Sequence, residues 1–162
     1  MKPAHSMMRW GLVMAALVLV LDQLTKVWAS ADLMGRKIVL VQNYFDLILV
    51  HNLGAAFGMF AGLDPVWRLL FLTSVAVLAM GLILYLLWQS QDLWGASSLG
   101  MVLGGAIGNQ IDRLRLGYVV DFIHLHWHDL SWPVFNIADS AITVGIGMLL
   151  WESFRKPEGS SL

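Results

Sequence analysis

The sequence predicts a mainly α-helical integral membrane protein, with four transmembrane helices and a small β-sheet lying on the outer membrane surface. Three observations carry that prediction. Residues of the AVILMFWYC set make up 58% of the chain and charged residues 13%, against roughly 45–50% and about 25% in soluble domains, and mean hydropathy is +0.70. Four stretches approach the ~20 apolar residues that a helix needs to cross the hydrocarbon core. Two of the intervening segments are rich in β-branched and large apolar residues and bounded by turn formers. At 162 residues the chain is read as one membrane domain, 1–162. The absence of cysteine excludes disulfides, thiol nucleophiles and cysteine-based metal centres. A net charge of −1 without a long basic run argues against nucleic acid as a partner.

The first span is residues 10–29, interrupted only near its end by Asp22, Gln23, Thr25 and Lys26. Ala29-Ser30-Ala31 resembles a signal-peptide cleavage site, but Asp22 and Lys26 make a charged approach to such a cut, so the segment is expected to stay. Between the first and second spans, residues 30–65 are too many for a connection without structure of its own. Lys37-Ile-Val-Leu-Val41 and Phe45-Asp-Leu-Ile-Leu-Val-His51 read as short strands, with Gln42-Asn43 between them. The glycine-rich stretch 54–62 is expected to act as a flap over a bound chain. Residues 66–88 form the cleanest span, and a short connection makes 95–114 its antiparallel neighbour. In that third span Gly100, Gly104 and Gly108 recur at four-residue spacing beside Gly105, which suits close helix packing. Gly117 should stop the helix, Tyr118 to Trp127 should be a further strand, and residues 136–154 form the fourth span. With an even number of spans, Lys2 and Arg9 place both termini in the cytoplasm and the segments 30–65 and 115–135 outside.

Sorted by span direction, the polar residues collect at one membrane face. Asp22 and Lys26 end the first span; Asn109, Asp112 and Arg113 end the third; Asn136 and Asp139 open the fourth; Asn52 and Asp121 lie in the adjoining outer segments. Each has a plainer alternative. Asn136 and Asp139 suit a capping pair, while Asp22 with Lys26, and Asp112 with Arg113, suit ion pairs between or along helices. Their gathering at one face points to a site, because charges within spans are costly and normally face a cavity or partner.

Two carboxylates close together share a proton, so one can take a proton from water while the other gives one to a carbonyl. An aspartic peptidase is therefore one reading. A second is a zinc site at His124, His126 and His128, which alternate along a strand. A third is an ion or proton pathway.

Asp22-Gln-Leu-Thr-Lys26, His51-Asn-Leu-Gly-Ala-Ala-Phe57, Gly108-Asn-Gln-Ile-Asp-Arg113, Val119-Val-Asp-Phe122 and Phe135-Asn-Ile-Ala-Asp-Ser140 resemble, in order and spacing, the motifs of lipoprotein signal peptidases (signal peptidase II). The resemblance runs from the first span to the last. It implies a monomeric aspartic endopeptidase of the bacterial inner membrane, with four spans and a periplasmic β-cradle. Such an enzyme removes signal peptides from diacylglyceryl-modified prolipoproteins, cutting just before the lipidated cysteine, needs no cofactor, and is blocked by globomycin-type antibiotics. By position, Asp121 and Asp139 match the catalytic aspartates. Asp22, Lys26, Asn52, Gly54, Asn109, Arg113 and Asn136 match the polar residues around them. Gln110 departs from the family pattern, which favours an apolar residue there, and the histidine run matches no family motif. On this reading no metal ligand is assigned.

Overall fold

A computed structural model describes residues 4–54, 59–60, 62–128 and 130–155. Among the described residues four long helices and four strands follow in the order α1 (Ala4–Asp32), β1 (Lys37–Val41), β2 (Phe45–Asn52), α2 (Pro65–Gln89), α3 (Leu93–Leu116), β3 (Val119–Trp127), β4 (Leu130–Ser131) and α4 (Ile137–Arg155). Local chemistry sets several of these boundaries. Asp64 accepts hydrogen bonds from the Val66 and Trp67 amides at 3.0 and 3.4 Å, and Pro65 opens α2. Asp92 does the same for Gly95 at 2.8 Å at the start of α3. Gly117, at φ 80°, ends α3 in the left-handed conformation that glycine tolerates, and its amide donates to the Arg113 carbonyl.

Among the described residues three helices, Ser6–Asp32 within α1, Pro65–Gln89 and Ile137–Arg155, are long and apolar enough to cross a membrane. On α2 only Arg68 and Leu87 are buried, so nearly all of its apolar surface faces outward. A helix apolar all round and left uncovered is one suited to lipid. The helix α3 is different. It has 24 residues, about 36 Å at ~1.5 Å per residue, but it carries Asn109, Gln110, Asp112, Arg113 and Arg115. It packs against the other three helices and buries half of its length.

Glycine makes that central position possible. A methyl group added at Gly100 or Gly104 would strike the backbone of α1 at Gly11 or Ala15, and one at Gly105 would strike the Ala138 carbonyl of α4. The four-residue spacing is therefore a contact stripe toward α1, as expected, with Gly105 turned to α4. Gly104→Ala should destabilise the protein by about 1–3 kcal/mol despite the better helix propensity of alanine, because the obstacle is backbone. Unfolding in detergent checks this; a variant as stable as the parent would mean the helices separate freely.

The strands form one antiparallel run in the order β1-β2-β3-β4. Asn43, at φ 65°, sits in the β1–β2 turn. The two-residue β4 has no counterpart among the strands expected from the sequence; it pairs with the end of β3, His126 opposite Ser131. Ala29 and Leu33 at the end of α1 pack on Phe122 of β3, which seats the sheet on the helices. A bulge in β2 between Leu47 and Val50 brings Val50 opposite Asp121 and Asn52 opposite Val119. Of the expected flap, residues 55–58 and 61 lie outside the described residues, while Gly54 is buried.

Candidate active site

The end of α1, the end of α3, the start of β3 and the start of α4 meet beneath the sheet, and there the nine polar and glycine positions singled out in the sequence join one hydrogen-bonded network. Asp121 projects from β3 and is 1% exposed. Its Oδ1 accepts from Asn136 Nδ2 at 2.7 Å and its Oδ2 from Asn52 Nδ2 at 3.0 Å. Asp139 lies in the first turn of α4, with Oδ1 accepting from Asn109 Nδ2 at 2.7 Å and Oδ2 from the Asn136 amide at 3.3 Å. The Asp139 amide in turn donates to Asn136 Oδ1 at 2.9 Å. Asn136 and Asp139 thus do form a reciprocal capping pair. The plainer reading and the site reading describe the same atoms, since the cap is what holds Asp139 near Asp121.

The orientation of every amide follows from partners that can only donate. Lys26 Nζ donates to Asn109 Oδ1 at 2.8 Å, so Asn109 must turn its NH₂ to Asp139. The Asp139 amide occupies Asn136 Oδ1, so Asn136 turns its NH₂ to Asp121. The Gly54 amide donates to Asn52 Oδ1 at 3.0 Å, so Asn52 likewise presents NH₂ to Asp121. Arg113 closes the circuit by donating to the Gly54 carbonyl at 3.3 Å.

Below the pair lies a buried charge cluster. Lys26 Nζ contacts Asp22 at 2.9 Å and Asp112 at 3.0 Å, and all three side chains are at most 4% exposed. Asp22 also accepts from the Ala138 amide at 2.9 Å, supplying a partner for the free N–H groups at the start of α4. A side chain at Gly108 would run into Asp22, so this glycine serves the site as well as the helix contact. Asp112 pairs with Lys26 rather than with its neighbour Arg113, and it accepts from the Val120 amide at 3.1 Å, fixing the start of β3. Asp112 therefore belongs to the network, as its place in the polar gathering suggested, although it is not among the residues matched to the family's site. In the sequence Gln23 is only an interruption of the first span; its NH₂ donates to Asp22, to Asp112 and to the Gly108 carbonyl at 3.1–3.3 Å. Its position one residue from Asp22 was the available signal. Gln110 faces away, donating to Thr73 of α2 at 2.8 Å, so the departure at this position ties two helices together.

Asp121 and Asp139 open into a groove of roughly 1370 Å³ between the sheet and α4. Asn109 and Arg113 line its polar end, and Trp127, Leu130, Trp132, Phe135, Ile142 and Val144 supply apolar walls. Burial, and next the charge of Asp139, push the Asp121 carboxyl up to about 7, against the hydrogen bonds from Asn52 and Asn136.

The three histidines do not converge as strand alternation predicts. His128 has left the strand at φ 53° and contacts the Tyr44 and Trp127 rings. Asp46 of β2, which the sequence does not single out, takes the third place beside His124 and His126.

Comparison with known proteins bears on this geometry. The profile of signal peptidase (SPase) II matches residues 14–155. A lipoprotein signal peptidase from an Azoarcus species is 43% identical over 162 residues, covering 97% of this chain and 92% of that protein. Another, from Syntrophotalea carbinolica, is 45% identical over 148 residues, covering 89% and 90%. Among solved structures, one described as a bacterial membrane enzyme superposes with a TM-score of 0.80 at 25% identity, covering 94% of this chain and 93% of that one. A second so described gives 0.78 at 26% identity, covering 90% and 93%.

Proposed function

The chain belongs to the signal peptidase II family of membrane peptidases, whose members process lipoproteins, and from that premise we propose that Asp121 and Asp139 are its catalytic pair. The supporting observation is a buried carboxylate, Asp121, and a half-buried one, Asp139, bridged by Asn136 at the floor of a largely apolar groove. Asp139 sits at a helix N-terminus, where the peptide dipoles favour an anion. Asp121 is disposed to hold the shared proton.

Hydrolysis then needs no covalent intermediate. Ionised Asp139 removes a proton from a water as its oxygen attacks the scissile carbonyl carbon, and Asp121 gives its proton to the carbonyl oxygen. The resulting tetrahedral diol collapses when Asp139 passes its proton to the leaving nitrogen and Asp121 takes one back from a diol hydroxyl. Asn109 and Asn136 keep the carboxylates in place, and Arg113 holds the turn at Gly54.

The substrate is a diacylglyceryl-modified prolipoprotein cut before its lipidated cysteine. The apolar walls suit the signal-peptide and acyl chains, and the polar end suits the peptide bond. In this reading α3 is the fourth span, its polar residues turned inward to the site. The sheet is periplasmic, both termini are cytoplasmic, and the enzyme works as a monomer in the bacterial inner membrane. Globomycin-type inhibitors would occupy the same groove.

The test is cleavage of such a substrate in detergent with EDTA present, comparing the parent with Asp139→Asn. A folded variant that cuts as well as the parent defeats the proposal. The pH profile gives a second check. Asp121 is protonated below about 7 and ionised above it, so kcat/KM should fall as pH rises through that value. Asn52 donates to the Asp121 carboxylate, so Asn52→Ala should move that limb to higher pH. A profile flat through neutrality in both proteins would remove Asp121 as the acid.

A further inference from the structure

On the sheet, apart from Asp121 and Asp139, three side chains able to ligate a metal converge. Asp46, 1% exposed, stands opposite His124 across the β2–β3 pair. His124 and His126, two apart, share one side of β3, with rings stacked at 4.8 Å and 17°.

In His124 the Nε2 lies 2.6 Å from Ser131 Oγ, and the ring's other nitrogen is Nδ1. That Nδ1 is buried, has no hydrogen-bond partner, and lies 3.6 Å from Asp46 Oδ2. His126 Nδ1 faces the His128 carbonyl at 3.3 Å, and its Nε2 is hydrogen-bonded to Asp46 Oδ2 at 2.8 Å. Two imidazole nitrogens and a carboxylate oxygen lie within 4.8 Å of one another, close enough for one cation to replace the protons between them. Lys37 Nζ, 2.6 Å from Asp46 Oδ2, supplies charge on one side only, and its side chain is 52% exposed and free to swing away.

We propose that Asp46, His124 and His126 form a binding site for a divalent transition-metal cation of the zinc type, with His124 ligating through Nδ1 and His126 through Nε2. Two imidazoles and one carboxylate are a familiar zinc donor set, with a fourth position left to water. With a metal bound, each imidazole would direct its other N–H at an oxygen, Ser131 Oγ or the His128 carbonyl, which is the orientation that metal-ligating histidines require. A bound ion would tie β2 to β3 and, through Ser131, to β4.

The experiment uses full-length protein without a histidine tag, stripped with EDTA and then freed of it. Zn²⁺ is titrated in competition with a chromophoric chelator near neutral pH. The expected result is one competing site per chain, weakened at least about tenfold in His126→Gln and in His124→Gln. Asp139→Asn and His128→Gln should bind as the parent does, and Lys37→Met should bind more tightly. Should the histidine variants fold poorly, X-ray absorption of the zinc-loaded parent decides: two imidazole ligands are expected, and none would overturn the site. Equal uptake by the parent and the two histidine variants would overturn it as well. So would no uptake by the parent, which would leave His126 as a hydrogen-bond partner of Asp46 and nothing more.

Discussion

Asp139→Asn is expected to abolish prolipoprotein cleavage while leaving the protein folded. A general base is worth about 10²–10⁴-fold in rate, and here the same carboxyl must also return the proton to the leaving nitrogen, so the upper end of that range is expected. The fold should survive because asparagine keeps an oxygen that can accept from Asn109 or from the Asn136 amide. A weakened helix cap costs about 0.5–2 kcal/mol. Asp121→Asn is a harsher change. Both oxygens of Asp121 receive NH₂ groups whose direction is fixed by backbone donors, so an amide there must set one donor against another in a buried place. That adds about 1–3 kcal/mol of destabilisation to the loss of the acid. Cleavage rate and apparent unfolding temperature, measured together, separate the two effects. Near-parental cleavage by folded Asp139→Asn would reduce Asp139 to a cap and nothing more.

The gathering of polar residues is legible in the sequence because three features coincide. The apolar stretches mark where helices can cross, successive crossings must alternate in direction, and the helical period places Asp22 with Lys26, and Asn136 with Asp139, on common faces. Direction alone then sends the end of α1, the end of α3 and the start of α4 to one side. What spacing does not carry is partner choice. Asp22 caps α4 at Ala138, 116 positions away, and Asp112 turns from Arg113 to Lys26 and the Val120 amide because Gly117 folds the chain back into β3. Asp46 is hidden for a related reason. It sits in the otherwise apolar run 45–50, and only the pairing of β2 with β3 shows that it faces His124. The displacement of His128 is a local matter that alternation misses, since the chain turns at the end of β3 to enter β4.

Lys26→Met should be the most destabilising single substitution in the membrane-buried part of the protein, at about 3–5 kcal/mol. Lys26 is 3% exposed and places its Nζ against Asp22, Asp112 and Asn109 at 2.8–3.0 Å, accounting for all three of its protons. Methionine fills much the same volume but leaves two buried carboxylates without their cation, and breaking a buried ion pair by removing one partner carries that cost. The remaining bonds, from Gln23 and from the Ala138 and Val120 amides, offset only part of it. The effect reaches the catalytic pair through Asn109. Without Lys26 nothing obliges Asn109 to turn its NH₂ toward Asp139, so cleavage should fall even at temperatures where the variant stays folded. Adding Asp112→Asn removes one of the stranded charges, and the double variant should recover at least about 1 kcal/mol relative to the sum of the two single changes. Unfolding of the four proteins in one detergent measures that coupling. A Lys26→Met variant within about 0.5 kcal/mol of the parent, and fully active, would show that the carboxylates are neutral or hydrated, and that the cluster does not orient the site.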